Sequence, residues 1–184
     1  EQLYKELDEI HPRNPILLNI CGRTCTTKRE VINIGKKGME YKYSGQTSEV
    51  EYDINNFLIL KNVKLHVEKI CKQNKLLKEE EEFDFMLINY YKDGNDYIGE
   101  HRDKTSYLGS NTIVSLSLGE TRRFIFKYYP TKKCEKKFEM KLNSGDLLIM
   151  NGEETQKYWK HTVPIERRIK NPRINITFRI SKKL

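Results

Sequence analysis

The sequence of 184 residues lacks any long apolar run, and no stretch approaches the roughly 18 uninterrupted apolar residues of a transmembrane helix. Its first ten residues, EQLYKELDEI, also lack the basic and then apolar pattern of a secretory signal. The four cysteines form no C-x-x-C pair, so we expect reduced, intracellular thiols rather than a structural zinc site. No internal repeat and no Pro- or Gly-rich linker divides the chain, which predicts a single domain over residues 1–184.

The composition is polar for a globular protein, with 37% hydrophobic and 33% charged residues and a mean hydropathy of −0.75. The 11 Tyr, 7 Phe and single Trp nevertheless argue against disorder. The formal net charge is +8, and its basic residues cluster in 122–141 and 157–173. Such clustering suits a polyanion, because phosphate contacts release counterions. A solvated, lysine-rich surface would give the same composition, so charge alone indicates nucleic acid without establishing it.

Helical patterns are confined to the N-terminal part of the chain. Leu3, Leu7 and Ile10 recur at helical spacing, and apolar residues recur in the same way from about Asn56 to Leu77. Residues from about Asn14 to Ser48 indicate irregular structure and short strands.

The second half predicts short strands separated by turn signals. These segments, rich in β-branched and aromatic residues, are Phe83 to Tyr91, Thr112 to Leu118, Arg123 to Tyr129, Lys137 to Leu142, Asp146 to Met150, Tyr158 to Val163 and Arg173 to Ile180. Strands without intervening helices favour a sandwich or jelly roll over a parallel α/β sheet. The expected fold class is therefore α+β, mainly β.

Two histidines and one aspartate form a candidate metal site. His101 and Asp103 are two residues apart, so on an extended segment their side chains project from the same face. His161 lies in a later predicted strand. Two imidazoles and a carboxylate can hold non-haem Fe(II) while leaving coordination positions open. The same pattern would arise from surface histidines that bind no metal and have satisfied hydrogen bonds.

The last predicted strand, RINITFRI, alternates between an apolar and a polar face. Arg173 and Arg179 lie on the polar face, roughly 20 Å apart at about 3.3 Å per residue. A compact dicarboxylate suits two arginines placed in this way, because a guanidinium binds a carboxylate through two hydrogen bonds. Two exposed arginines on an edge strand are the alternative interpretation.

Five segments in this order resemble the AlkB family of Fe(II)- and 2-oxoglutarate-dependent dioxygenases, most of all its eukaryotic DNA-repair branch. The segments are NYYKDGNDYIGEHRDKT (89–105), VSLSLGETRRFIF (114–126), SGDLLIM (144–150), YWKHTVP (158–164) and PRINITFR (172–179). The resemblance implies a double-stranded β-helix, or jelly roll, in residues 81–184. It also implies that residues 1–80 form an N-terminal extension with a nucleotide-recognition lid. The implied activity is oxidative demethylation of N-alkylated bases, with release of formaldehyde, succinate and CO2.

The resemblance assigns roles to individual residues of this sequence. His101, Asp103 and His161 are the implied iron ligands and catalytic centre. The residues implied to bind 2-oxoglutarate are Asn89, Tyr91, Arg173, Asn175, Thr177 and Arg179. Among these, Arg173 with Tyr91 is expected at the distal carboxylate. Arg179 with Asn89 is expected at the end that chelates iron, and O2 is the implied cosubstrate.

A second set of residues is expected to contact the substrate. These are Arg29, Tyr41, Tyr43, Arg102 and Thr105. Tyr41 and Tyr43 belong to MEYKYSG, which resembles the segment whose aromatic residues stack on the flipped base, although strand packing would explain two tyrosines equally well. Trp159 is interpreted as a core residue rather than a base-stacking platform.

Two departures from the family pattern bear on the substrate. Repair enzymes usually place an acidic residue where this sequence has Thr105, and a neutral side chain cannot counter the charge of 1-methyladenine or 3-methylcytosine. Relatives that act on duplexes place an aromatic wedge near Cys21, and a small thiol fills the gap left by an extruded base poorly. We therefore expect single-stranded DNA or RNA to be favoured over duplex.

Two other functions are compatible with the same fold. One is a catalytically silent nucleic-acid-binding protein, and the other is an oxygenase that acts on a protein side chain. The intact His101, Asp103 and His161 pattern argues against the first, and the clustered positive charge argues against the second. The expected protein is an intracellular monomer without membrane association, in the nucleus or the cytoplasm.

Overall fold

Two facing β-sheets and a helical layer make up the structure, a computed structural model that describes residues 1–10, 13–20, 23–36, 40–43, 46–103 and 109–181. The helices are α1 (Gln2–Asp8), a 3-10 turn (Ile54–Asn56), α2 (Leu58–Gln73) and α3 (Glu153–Tyr158). The first strands are β1 (Asn14–Ile20), β2 (Arg23–Gly35), β3 (Glu40–Tyr43), β4 (Gln46–Glu49), β5 (Tyr52–Asp53) and β6 (Phe85–Tyr91). The others are β7 (Ile98–His101), β8 (Ile113–Gly119), β9 (Arg122–Tyr128), β10 (Lys136–Leu142), β11 (Leu147–Met150), β12 (Trp159–Val163) and β13 (Arg173–Arg179).

The strand pairing confirms the expected jelly roll. The large sheet has the order β1-β2-β6-β13-β8-β11, with β5 added in parallel to the end of β2. The small sheet has the order β10-β9-β12-β7, and β3 pairs with β4 in a separate hairpin. All seven strands expected in the second half are present, with ends that differ by at most two residues.

Strand β13 is the central element of the large sheet and is buried along its whole length. Ile174, Ile176 and Phe178 project into the main apolar core. The alternate residues project toward the small sheet, and Arg173 and Arg179 among them are only 1% and 4% exposed. The polar face is therefore an interior surface rather than the solvent face of an edge strand.

Helices α1 and α2 cover the outer face of the large sheet. Leu7 of α1 and Leu60 of α2 are among the core residues that pack against β6 and β13. Glu6 joins the two helices, because its carboxylate accepts hydrogen bonds from the backbone N–H groups of Ile59 and Leu60 at 3.0 and 2.8 Å. A carboxylate at this position satisfies otherwise unpaired donors at the start of α2. Within the described residues, no helix is long and apolar enough to cross a membrane.

Strand β2 differs from the expectation of irregular structure and short strands between Asn14 and Ser48. It runs for 13 residues, and its second half, including Val31 and Ile34, is buried where it pairs with β6. The first half is rich in Thr, Lys and Arg and is mostly exposed, so it has no apolar alternation. The second half is buried on both faces, so apolar and polar residues do not alternate there either. The sequence therefore lacks the period-two pattern that would have predicted a long strand.

Arg122, at the start of β9, forms hydrogen bonds with the segment that leads into β7. Its guanidinium is 1% exposed and donates from Nε to Glu166 Oε2 at 3.1 Å. The other nitrogens donate to the backbone carbonyl oxygens of Asp93, Asp96 and Pro164 at 3.0, 2.9 and 2.7 Å. One buried side chain thus connects the loop before β7 with the loop after β12, the two strands that carry the predicted metal ligands.

Candidate metal and cofactor site

His101, Asp103 and His161 come together at one end of the small sheet. His101 is the last residue of β7, and antiparallel pairing places His161 of β12 directly opposite it. Asp103 follows His101 by two residues and is buried. One ligand atom from each residue can be chosen so that all lie within 4.8 Å of one another. The His161 Nε2 to Asp103 Oδ2 distance is 3.7 Å.

The protonation states of these three groups suit a divalent cation. Burial raises the pKa of Asp103, but Arg179 and the two imidazoles outweigh it and bring the pKa to about 2. Burial and the neighbouring His101 lower the pKa of His161 to about 3, and burial also lowers the pKa of His101. At neutral pH the carboxylate is therefore ionised and both imidazoles are neutral, which are the forms that bind metals.

The hydrogen bonds around the cluster leave metal-binding atoms available. His101 Nδ1 lies 2.9 Å from the Gly99 carbonyl oxygen, so a proton on Nδ1 donates to Gly99 and Nε2 carries the lone pair. Asp103 Oδ1 accepts from Arg179, whereas the buried Oδ2 accepts no hydrogen bond within the described part of the chain. A buried carboxylate oxygen without a donor, beside two neutral imidazoles, fits Fe(II).

Arg173 provides a second set of open donors, at the far end of β13. Its Nη2 donates to Ser117 Oγ at 2.8 Å, and the guanidinium carbon lies 5.3 Å from the centroid of the Tyr91 ring. Its Nε and Nη1 are buried and meet no acceptor among the described residues. A buried guanidinium with two open donors fits a carboxylate, such as one end of 2-oxoglutarate.

The remaining residues predicted to bind 2-oxoglutarate lie between these two ends. Asn89 of β6 pairs directly with Asn175 of β13. Asn175 Nδ2 donates to Ser115 Oγ at 2.7 Å, and Thr177 donates to Asn175 Oδ1 at 3.3 Å. Five of the six predicted residues, all except Arg173, line one cavity together with the metal cluster.

This cavity encloses only about 30 Å³, room for about one water molecule. Polar side chains that bind one another occupy the rest of the space. Arg29 Nε donates to Asn89 Oδ1 at 2.6 Å, and Arg179 Nη2 donates to Asp103 Oδ1 at 2.7 Å. A dicarboxylate can therefore enter only if these polar side chains separate from one another.

The structure places the predicted substrate residues unequally. Arg29 is 5% exposed and lies in the cavity wall beside Asn89. Arg102 is half-buried, and its Nε meets no acceptor among the described residues. Tyr41 and Tyr43 lie in β3, where the structure describes the backbone. Thr105 and Cys21 lie outside the described residues.

Sequence reasoning missed several residues that shape the site. Ser115 and Ser117 of β8 orient Asn175 and Arg173, and the alternation in VSLSLG contained this signal. Phe124 stacks on His161 with ring centroids 5.5 Å apart. No local pattern marked the buried position of Arg122, because its partners lie 26 to 44 residues away.

A model of the 2OG-Fe(II) oxygenase superfamily matches residues 4–179, which include the metal cluster and the whole of β13. The chain belongs to this superfamily. Membership implies Fe(II) and 2-oxoglutarate as cofactors with O2 as cosubstrate, which agrees with the donor set of His101, Asp103 and His161.

Relatives within the superfamily confirm the resemblance to the AlkB family. DNA oxidative demethylase ALKBH2 from Homo sapiens is 32% identical over 169 residues, covering 88% of this chain and 60% of that protein. The protein of the same name from Bos taurus is also 32% identical, over 88% of this chain and 56% of its own length. Alpha-ketoglutarate-dependent dioxygenase alkB homolog 3 from Mus musculus is 38% identical over 53% of this chain and 36% of its own length. The chain thus spans little more than half the length of the ALKBH2 proteins.

A solved structure supports the fold assignment. The structure of OsALKBH1 superimposes with a TM-score of 0.58 at 18% identity, covering 97% of this chain and 88% of that one. At this identity the likeness concerns the fold alone, and it agrees with the two facing sheets.

Proposed function

We propose that the protein is an Fe(II)- and 2-oxoglutarate-dependent dioxygenase that oxidatively demethylates N-alkylated bases in DNA or RNA. One observation carries the proposal. Asp103 and two imidazoles, from His101 and His161, share a cavity with the polar face of β13 on the large sheet. This is where a metal and an adjoining dicarboxylate can meet.

The bound cofactors supply the oxidation: one atom of O2 enters succinate, released with CO2, and the other enters the N-methyl group, which leaves as formaldehyde. The chain's own residues hold and orient the reactants. His101, Asp103 and His161 hold the iron, and the Gly99 carbonyl oxygen fixes the tautomer of His101. Before 2-oxoglutarate enters, Arg179 keeps Asp103 ionised and turned toward the imidazoles.

Arg173 is proposed to hold the distal carboxylate of 2-oxoglutarate. The Ser117 hydroxyl positions one of its nitrogens, which leaves Nε and Nη1 directed to a ligand. Asn89 and Arg179 are proposed to hold the other end, after Arg29 and Asp103 give up the contacts that now fill the cavity. Arg29, released in this way, becomes a donor for the substrate base.

The nucleic-acid substrate is supported by the net charge of +8 and by the demethylase names of the ALKBH2 relatives. A methylated base must leave its stack to reach a buried metal, and this costs least in a single strand. We therefore propose a preference for single-stranded substrates and a monomeric protein. The exposed free thiols Cys25 and Cys134 support an intracellular location, because such thiols persist in reducing compartments.

The test is a turnover assay on a panel of methylated oligonucleotides, DNA and RNA, each as a single strand and as a duplex. The protein is incubated with Fe(II), 2-oxoglutarate and O2, and formaldehyde, succinate and the oligonucleotide mass are measured. Equal amounts of formaldehyde and demethylated product are expected, with faster turnover on single strands. Succinate without demethylation of any oligonucleotide would contradict the proposed substrate class, and faster turnover on duplexes would contradict the strand preference.

The variant His101→Ala should abolish formaldehyde release, since it removes a metal ligand while leaving the sheet intact. His66→Ala is the matched control, because His66 is exposed on α2 away from the site. Full activity in His101→Ala would refute the assigned metal centre.

A further inference from the structure

An aromatic cluster occupies the inner face of the small sheet beyond the metal ligands. Trp159 lies at its centre, with the ring centroids of Tyr128 and Phe138 at 5.0 and 5.5 Å. Phe126 closes the cluster on the metal side, 6.2 Å from the Trp159 ring and 6.0 Å from the His161 ring. Trp159 and His161 are two residues apart on β12, so their side chains share one face of the strand.

The cluster borders an open groove of about 330 Å³. Phe138, which borders the groove, is 55% exposed. Trp159 is half-buried, which differs from its interpretation as a core residue. The residues around the groove are Phe126, Phe138, Glu139, Met140, Thr155 and Trp159. Large exposed aromatic side chains beside a catalytic cavity are characteristic of a binding surface rather than of a core.

Two lysines lie next to the groove. Lys136 Nζ lies 5.9 Å from the centroid of the Tyr128 ring. Lys157 Nζ lies 5.1 Å from the ring centroid of Tyr158, a neighbour of the cluster whose ring is 6.0 Å from that of Tyr128. A hydrogen bond with Tyr158 raises the pKa of Lys157, and Glu153 and Glu154 of α3 are close enough to raise it further. Neither lysine forms a salt bridge with another described residue. Glu139 borders the groove as well, but Arg123 binds its carboxylate with two hydrogen bonds of 2.7 and 3.0 Å. A ligand with flat apolar faces and negative charges matches this surface.

We propose that the groove binds an unpaired nucleobase adjacent to the target base, stacked on Trp159 and Phe138, with the neighbouring phosphates near Lys136 and Lys157. The inference rests on the proposed function, since it takes the strand that delivers the methylated base to be the occupant. Two residues of β12 span roughly 6.6 Å, about twice the rise of roughly 3.4 Å between stacked bases. A nucleotide next to the target can therefore place its base on Trp159 while the unstacked target base lies at the metal centre.

Trp159 makes the binding directly observable, because it is the only tryptophan in the chain. The protein is titrated with an unmodified single-stranded oligothymidylate while tryptophan emission is recorded. Saturable quenching is expected, because a stacked base alters the emission of the indole ring. A strand of equal length with abasic positions carries the same phosphates and is expected to leave the emission unchanged.

The variant Phe138→Ala removes one stacking ring and keeps the fluorescent reporter. Loss of one base–aromatic contact should weaken oligothymidylate binding by roughly 5- to 150-fold. Leu65→Ala is the matched control, since Leu65 on α2 is exposed to a similar degree, 53%. This variant should bind oligothymidylate as tightly as the parent protein. Phe138→Leu, which keeps apolar bulk without an aromatic ring, separates stacking from loss of packing. Thermal melting checks that each variant is folded.

The lysines have their own readout. Removing a lysine that contacts a phosphate lowers the slope of the logarithm of the binding constant against the logarithm of salt concentration by about 0.7. Lys136→Gln and Lys157→Gln should each show this change. A slope unchanged in both variants would contradict the placement of the phosphates.

Equal quenching by the abasic strand, or no quenching at all, would overturn the stacking subsite. An emission that changes with protein concentration alone would also overturn it, by identifying the occupant as a second copy of this chain. The titration needs no turnover. Base-dependent quenching without demethylation would support the stacking subsite and refute the proposed reaction. Demethylation by the parent protein, together with normal oligonucleotide binding by Phe138→Ala, would support the reaction and refute the subsite.

Discussion

Arg179 donates a hydrogen bond from Nη2 to Asp103 Oδ1 at 2.7 Å, across 76 residues of sequence. The side chain proposed to hold 2-oxoglutarate therefore also orients a metal ligand. Both residues are buried, so water does not weaken this contact. The two halves of the site are coupled through one guanidinium.

This coupling predicts that Arg179→Met impairs metal binding although Arg179 is not a ligand. Loss of a group that orients a ligand typically lowers metal affinity by about 10- to 100-fold. Calorimetric titration with Mn(II), which does not turn over, measures the change. Arg173→Met is the control, because Arg173 hydrogen-bonds Ser117 rather than a metal ligand. Equal Mn(II) affinity in the two variants would mean that Asp103 is oriented without Arg179.

Arg173→Met is expected to weaken 2-oxoglutarate binding selectively. Hydrogen bonds to charged groups contribute about 1.5–3 kcal/mol each, which corresponds to at least a tenfold higher KM for 2-oxoglutarate. Metal affinity and kcat at saturating 2-oxoglutarate should change little. Arg168→Met, at an exposed arginine, should leave the KM unchanged. A normal KM in Arg173→Met would place the distal carboxylate elsewhere.

Arg122→Met is expected to reduce the free energy of unfolding by about 3–5 kcal/mol, because it leaves the Glu166 carboxylate without its buried partner. Three backbone carbonyl oxygens lose their donors as well. Urea unfolding measures the change. The adjacent Arg123→Met should differ little from the parent protein, since Arg123 pairs with Glu139 at the surface. Similar losses in both variants would show that burial of Arg122 is not decisive.

Gly94→Ala tests the loop that Arg122 fastens. A Cβ at Gly94 would lie 1.9 Å from the Glu166 carbonyl oxygen, so the backbone has to move. Overpacking of this kind costs about 1–3 kcal/mol in unfolding free energy. Gly99→Ala is the control, because a Cβ there meets nothing within 4 Å and the carbonyl that accepts from His101 is retained. A parent-like melting temperature for Gly94→Ala would contradict the tight approach of these two loops.

The sequence predicted those features that depend on local periodicity. The alternation in RINITFRI predicted both faces of β13, and the spacing of His101 and Asp103 predicted a shared direction. The amphipathic pattern likewise predicted α2, although the helix is shorter than the pattern and ends at Gln73 rather than Leu77. In each case, neighbours along the chain are also neighbours in space.

Features that depend on distant contacts could not be predicted. Nothing near Glu6 indicated that it would cap a helix more than 50 residues later. The contact between Arg29 and Asn89 joins β2 to β6, and only the pairing of these strands reveals it. The partial exposure of Trp159 depends on what packs opposite it in the folded sheet, and its neighbours in the sequence do not reveal this.

Because β13 is interior on both sides, a shift of its register by a single residue would exchange its two faces. Two guanidinium groups would then enter hydrocarbon surroundings, while isoleucines would replace them in the cavity. Such a chain would be too unstable to persist as a folded but inactive species. The alternation of β13 therefore excludes a stable, misregistered form of the protein. Preparations should differ in their yield of folded protein and not in the specific activity of the folded molecules.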